Sequence, residues 1–119
     1  MTYTELDDPI AKEIARRCPN LTLFACDYTY LTDDGLTYIA QNLVKLMDIS
    51  CRQCVEISDD GVVALVEHAG SRLRRVNLAE NRKLTDLSAM ELMDCTRVHT
   101  LSFGTIGVTN TAIKEMVTE

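Results

Sequence analysis

The sequence has little positive charge, no long apolar stretch and no cysteine framework, and each shortage argues against a class of protein. Its 119 residues hold 12 Lys and Arg against 18 Asp and Glu, a net charge of −6. Such a chain has no general attraction to phosphate, so nucleic acid is not expected as a partner. No apolar run approaches the roughly 18 residues of a membrane span, and the N-terminus lacks the residue order of a secretory signal. We therefore expect no membrane insertion.

The cysteines and the missing catalytic motifs argue against further classes of protein. Five cysteines are an odd number without framework spacing, which predicts free thiols in a reducing intracellular compartment, the cytoplasm or the mitochondrion. The sequence has no GxSxG, P-loop or GxGxxG motif. His68 and His99 are far apart, and neither has a Ser, Cys or Asp at a catalytic spacing. We expect neither enzyme activity nor a cofactor.

An internal repeat is the main signal that is present, in a chain apolar enough (46% hydrophobic) to form a core. The segment Leu-Thr-Asp-Asp-Gly-Leu at 31–36 returns at 57–62 and 84–89, and in degenerate form at 108–113. These copies lie about 24–27 residues apart, inside the range of leucine-rich repeats. Upstream of each copy stands an apolar-x-x-apolar-x-apolar pattern, which begins at Leu21, Leu46, Leu73 and Val98.

The two periods of this repeat predict one strand and one helix in each unit. Apolar residues that alternate with period two are typical of a short strand with one buried face. The Thr/Ser-Asp pair then opens a helix, because its side-chain oxygens can accept hydrogen bonds from backbone N–H groups. Neither element buries its apolar face alone, so neighbouring units must stack. The predicted fold is α/β, a short leucine-rich-repeat solenoid of right-handed strand–helix repeats with a parallel sheet on the concave face and helices on the convex face.

The repeats divide the chain into one predicted leucine-rich-repeat domain, residues 1–119. Pro9 suits a first helical turn, so the N-terminal segment looks like the helical half of a repeat. Two interpretations stay open for it: a cap on the first strand, or part of a longer solenoid. The predicted units are a partial repeat or cap over 1–20 and repeats over 21–45, 46–72, 73–97 and 98–119.

The motifs also carry a family resemblance. Residues 18–21, Cys-Pro-Asn-Leu, together with 46–54 and 57–61, resemble the cysteine-containing leucine-rich repeats of the leucine-rich-repeat class of F-box proteins. The resemblance spans about residues 18–117 and implies the substrate-recognition part of a ubiquitin ligase adaptor, although the sequence holds no F-box-like segment. In size the chain is similar to the small mitochondrial coupling-factor B type of leucine-rich-repeat protein. That similarity implies an accessory subunit of a large assembly, mitochondrial or cytoskeletal.

Two groups of residues are of types that bind metal ions, but their positions in the repeat explain both groups without a metal. A structural zinc site needs four ligands, whereas the chain has the single CxxC pair Cys51 and Cys54. The register places Cys51 at the third apolar strand position and Cys54 at a buried loop position, so we expect both to pack in the core and bind no metal. The acidic pairs at 33–34 and 59–60 lack the spacing of a calcium loop. They are interpreted as helix N-terminal caps.

The outward-facing strand positions form the predicted binding surface. Small polar side chains there let a partner approach the sheet, and Tyr28 with Tyr30 forms an aromatic rim or packs on the loop layer. The basic cluster is either a solvated face or an anchor for an acidic protein; its members are Arg72, Arg74, Arg75, Arg82 and Lys83. We therefore expect a non-catalytic protein–protein interaction module that presents a rigid concave sheet to protein partners, within a larger complex. The predicted partner-binding residues are Leu23, Asp27, Tyr28, Asp48, Ser50, Arg52, Arg75, Asn77 and Thr100.

Overall fold

Strands and helices alternate along the chain in a computed structural model, which describes residues 7–102. The helices are α1 (Asp8–Arg17), α2 (Asp33–Asn42), α3 (Asp59–Ala69) and α4 (Asp86–Met93), and the strands are β1 (Leu23–Ala25), β2 (Asp48–Ser50), β3 (Arg75–Asn77) and β4 (Thr100–Ser102). Within 7–102 no helix is both long enough and apolar enough to cross a membrane. The turn motif at 108–113 and the helical half of the predicted repeat 98–119 lie outside the described residues.

One parallel sheet contains the four strands in the order β1-β2-β3-β4. Its register aligns equivalent repeat positions, so that Leu23, Asp48, Arg75 and Thr100 form one row across the sheet. This arrangement confirms the predicted α/β fold of stacked strand–helix units.

A single core lies between the sheet and the helices. The central strand residues Phe24, Ile49 and Val76 are buried, and so are the helix residues Leu36 and Leu65. These positions follow from the two periods in the sequence, since every second strand residue and one helix face point to the same side. The opposite side of the sheet is therefore free of the helices.

The chain turns sharply after each of the first three strands. Tyr28, Gln53 and Glu80 have positive φ angles of 61°, 53° and 63°, and all three occupy the same repeat position. A left-handed conformation is unfavourable by roughly 1–2 kcal/mol for residues other than glycine. Its recurrence shows that the turn belongs to the repeat itself.

A buried polar residue closes each of these turns. Thr29 Oγ1 donates to the carbonyl of Cys26 over 2.7 Å, and Cys54 Sγ donates to the same carbonyl over 3.0 Å. Asn81 Nδ2 donates to the carbonyl of Cys51 over 2.7 Å. Cys54 and Asn81 thus occupy the buried loop position that the register predicts. The repeat pattern does not reveal this role for Thr29, because the first repeat is one residue shorter after this position.

The interpretation of the acidic pairs as caps of their own helices is wrong for the first Asp of each pair. The side chains of Thr32 and Ser58 form no capping hydrogen bond in their helices. Instead, each donates its hydroxyl to a carboxylate of the preceding repeat, Thr32 to Asp8 and Ser58 to Asp33. The backbone N–H groups of Thr32 and Ser58 donate to the same carboxylates over 2.8 and 2.7 Å.

Asp59 repeats this contact with Thr85, whose N–H and hydroxyl donate over 2.9 and 2.6 Å. Burial raises the pKa of Asp59, but hydrogen bonds from Ser88 and Thr85 outweigh burial and lower it below its usual value. We call Asp8, Asp33 and Asp59 the carboxylate ladder. Each member joins the start of one helix to the start of the next, so the ladder ties neighbouring repeats together.

Candidate functional site

The side of the sheet that faces away from the helices carries an open depression of about 240 Å³. We call this surface the open face. Its side chains come from the first and third residues of every strand, because the second residue of each strand points into the core. They are Leu23, Ala25, Asp48, Ser50, Arg75, Asn77, Thr100 and Ser102.

The structure brings most of the predicted partner-binding residues together in this depression. Those that line it are Leu23, Asp48, Ser50, Arg75, Asn77 and Thr100. Asp27, Tyr28 and Arg52 lie just beyond the carboxyl ends of β1 and β2, so they form an edge of the surface and not its floor. That these residues bind a partner stays a prediction.

Arg75 is the distinctive charge of the open face. Its side chain is exposed, and within residues 7–102 it forms no ion pair or side-chain hydrogen bond. Asp48 and Thr100 are its partners in the sheet register, yet Asp48 does not approach it closely enough to pair. None of the five N–H donors of the guanidinium is therefore used by a side chain of residues 7–102.

The other predicted arginine of the surface is already engaged. Arg52 forms an ion pair with Glu80, and its guanidinium lies 5.7 Å from the ring centroid of Tyr28. The hydrogen bond with Glu80 raises the pKa of Arg52. Asp27 accepts hydrogen bonds from Ser50 Oγ over 2.6 Å and from the backbone N–H of Arg52 over 2.9 Å. These contacts form a pre-organised edge across the first three described strands.

Sequence reasoning missed Glu80, which completes this edge. The signal that would find it is the repeat register, since Tyr28, Gln53 and Glu80 are equivalent residues. Side chains at one repeat position stand in a row, so an acidic residue there lies within reach of Arg52 in the preceding repeat.

Arg72, in the basic cluster, has a structural role. Its Nη2 donates to the carbonyls of Ala40 and Leu43, each over 3.0 Å, and its Nη1 donates to the carbonyl of His68 over 2.8 Å. These acceptors lie at the ends of α2 and α3, where helix carbonyls lack partners. Arg72 therefore ties two helix ends together, and burial lowers its pKa.

Three of the five free thiols form a cluster on the inner side of the sheet. Cys26, Cys51 and Cys54 are buried, and their sulfurs all lie within 4.8 Å of one another. The Sγ atoms of Cys26 and Cys51 are 3.2 Å apart. Hydrogen bonds with Cys26 and Cys54, together with burial, raise the pKa of Cys51 well above its usual value. The repeat register predicts burial for the CxxC pair, but it does not show that Cys26 lies beside this pair.

Comparison with known proteins agrees with this architecture. The chain is similar to a chain in the crystal structure of the Rad7 and Elc1 complex in yeast, with a TM-score of 0.76 and 24% sequence identity. The match covers 87% of this chain and 27% of that chain, so this chain spans about a quarter of its neighbour. No protein-family model matches the sequence. The strand–helix repeats and this similarity together define a leucine-rich-repeat type of α/β fold.

Proposed function

We propose that this chain is a non-catalytic protein-interaction module whose open face binds a protein segment that carries a carboxylate. The observation that carries the proposal is Arg75, an exposed guanidinium in the depression that has no ion-pair partner within residues 7–102. A carboxylate matches the planar fork of donors that arginine presents. The free thiols support a reducing intracellular compartment for this function.

The small side chains beside Arg75 support a protein partner. The row Ala25, Ser50, Asn77 and Ser102 crosses the whole sheet, and short side chains let a peptide backbone approach it. Four strands at about 4.8 Å spacing give a face roughly 15–20 Å wide. This is small for a typical interface of about 800 Å² per partner. We therefore expect the partner to contact the edge at Tyr28 as well, within a larger complex.

The similar yeast chain comes from a crystal structure of two proteins in complex, which is consistent with a role in protein assembly. The rival function is a structural accessory subunit that is held through its ends or its helices. The two functions differ in the surface that carries the contact, so substitutions on the open face distinguish them.

The test compares the reversal of one charge on the open face with the reversal of a like charge beside this face. Arg75→Glu places a carboxylate in the depression. Arg74→Glu makes the same change one residue earlier, at an exposed position that does not line the depression. Arg52 is unsuitable, because a carboxylate there would face Glu80 and disturb the edge. Partners are captured from a native extract with both variants and the unchanged chain, and circular dichroism verifies that the variants fold.

The proposal predicts that a specific partner is lost with Arg75→Glu and retained with Arg74→Glu. A charge-assisted hydrogen bond of this kind is worth about 1.5–3 kcal/mol, or roughly 10–150-fold in affinity, which titration with the identified partner measures. Equal retention by both variants would place the contact elsewhere and favour the accessory-subunit function.

A further inference from the structure

The thiol cluster has the geometry of a site for one metal ion. Around a single ion, three sulfurs at a metal–sulfur distance of about 2.3 Å stand roughly 4 Å from one another. The sulfurs of Cys26, Cys51 and Cys54 lie within 4.8 Å of one another, with the closest pair at 3.2 Å. Side-chain rotations that move each sulfur by a few tenths of an ångström would therefore arrange the three sulfurs around one ion.

The ligand set indicates which ion it would be. Within residues 7–102 no histidine, aspartate or glutamate joins these three sulfurs. A structural zinc site is almost always four-coordinate and tetrahedral, so the set is one ligand short for zinc. Soft thiolate ligands suit both Cu(I) and zinc, but two or three sulfurs satisfy Cu(I), so the number of ligands favours this ion. Thr29 Oγ1 also lies against the cluster, 3.4 Å from Cys54 Sγ.

We propose that Cys26, Cys51 and Cys54 form a buried site for one Cu(I) ion, held between the first two strands and the turn after β2. Each sulfur that binds the ion releases its proton to solvent. The three residues still pack in the core, and the bond from Cys54 Sγ to the ion replaces the hydrogen bond that this thiol donates to the carbonyl of Cys26. This site lies on the inner side of the sheet and is independent of the open face.

The repeats themselves supply the variants for the test. At the position of Cys54 the next repeat has Asn81, and at the position of Cys51 it has Leu78. Cys54→Asn and Cys51→Leu therefore remove a sulfur while they introduce a residue that this fold already holds at that position. Cys18→Ser and Cys95→Ser are the matched controls, because they change free cysteines outside the cluster. Thermal unfolding checks that every variant folds.

The measurement is copper stoichiometry and affinity under anaerobic, reducing conditions with a chromophoric Cu(I) chelator as competitor. Because all three sulfurs are buried, Cu(I) is supplied both to the folded protein and during refolding from urea. We expect about one copper per chain in the unchanged protein and in both controls. Cys54→Asn and Cys51→Leu should weaken binding at least about tenfold.

Three results would overturn the proposal. The first is the absence of bound copper after both loading procedures. The second is full copper retention in a folded Cys54→Asn variant. The third is zinc binding that equals Cu(I) binding in the same competition, because it would show that the three sulfurs do not select the softer ion.

Discussion

At the residue scale, the glycine of the turn motif is explained by a carboxylate of the preceding repeat. A Cβ at Gly35 would lie 2.8 Å from Cγ of Asp8, and one at Gly61 would lie 3.0 Å from Cγ of Asp33. The third copy has Ser88 at this position, and its hydroxyl donates to Asp59 over 2.5 Å. Glycine makes room for the carboxylate, whereas serine binds it. The recurring Asp and Gly are therefore one device that joins two repeats.

This device predicts that Gly61→Ala destabilises the protein although alanine favours helices. The new methyl group displaces Asp33 from the N–H and hydroxyl of Ser58, and we expect a loss of about 1–2 kcal/mol in the free energy of unfolding. In an Asp33→Ala background the carboxylate is gone and only the 3.2 Å approach to the Cα of residue 33 remains, so the same substitution should cost much less. Urea denaturation of the four proteins in this double-mutant cycle measures the coupling. Additive effects of the two substitutions would contradict the proposed clash.

At the element scale, the sequence predicted the strands and helices well because their two periods differ. The alternation around Phe24 and Ile49 indicates strands, and the spacing of Leu36 and Ile39 indicates a helix. What the sequence could not show is which side chains meet between repeats. Asp33 was interpreted as a cap of its own helix, since local pattern reasoning considers one element at a time.

The candidate site shows the same limit. Pattern reasoning placed Arg75 and Arg52 together on one surface, because it identifies the face on which a residue lies. It could not show that Glu80 pairs with Arg52, while Arg75 has no ion-pair partner among residues 7–102. That distinction depends on side-chain reach across strands, which only the folded arrangement defines.

The turn after β3 provides a prediction at this scale. Asn81 is fully buried, and its Nδ2 donates to the carbonyls of Cys51 and Leu78 over 2.7 and 2.9 Å. Asn81→Ala leaves both carbonyls without this donor, and we expect a loss of about 2–3 kcal/mol in the free energy of unfolding by urea. As a control, Asn42→Ala removes an exposed hydrogen bond to the carbonyl of Tyr38 and should change stability by less than about 0.5 kcal/mol. Similar losses in both variants would mean that burial does not increase the contribution of these hydrogen bonds to stability.

At the scale of the whole molecule, the described part of the chain is held together by contacts between neighbours in the stack. Among the helices, α2 packs on α1 and α3, and α3 packs on α4. Each strand pairs only with the strands beside it. Stability in such a stack is the sum of the units and their interfaces. The carboxylate ladder has one member at each helix interface, so a substitution in it weakens one interface at a time.

The position of such a substitution along the stack should therefore determine which helices it destabilises. Asp8→Ala removes the contact with Thr32 between α1 and α2, so α1 and the start of α2 lose support. Asp33→Ala removes the contact with Ser58 in the middle, so elements on both sides lose support. We expect each loss to be about 2 kcal/mol, or roughly 30-fold in amide exchange. Hydrogen exchange followed by mass spectrometry should show faster exchange in α1 and the start of α2 for Asp8→Ala, and in α2 and α3 for Asp33→Ala. If Asp8→Ala accelerates exchange equally in α3, the repeats unfold as one unit, and the interfaces cannot be weakened separately.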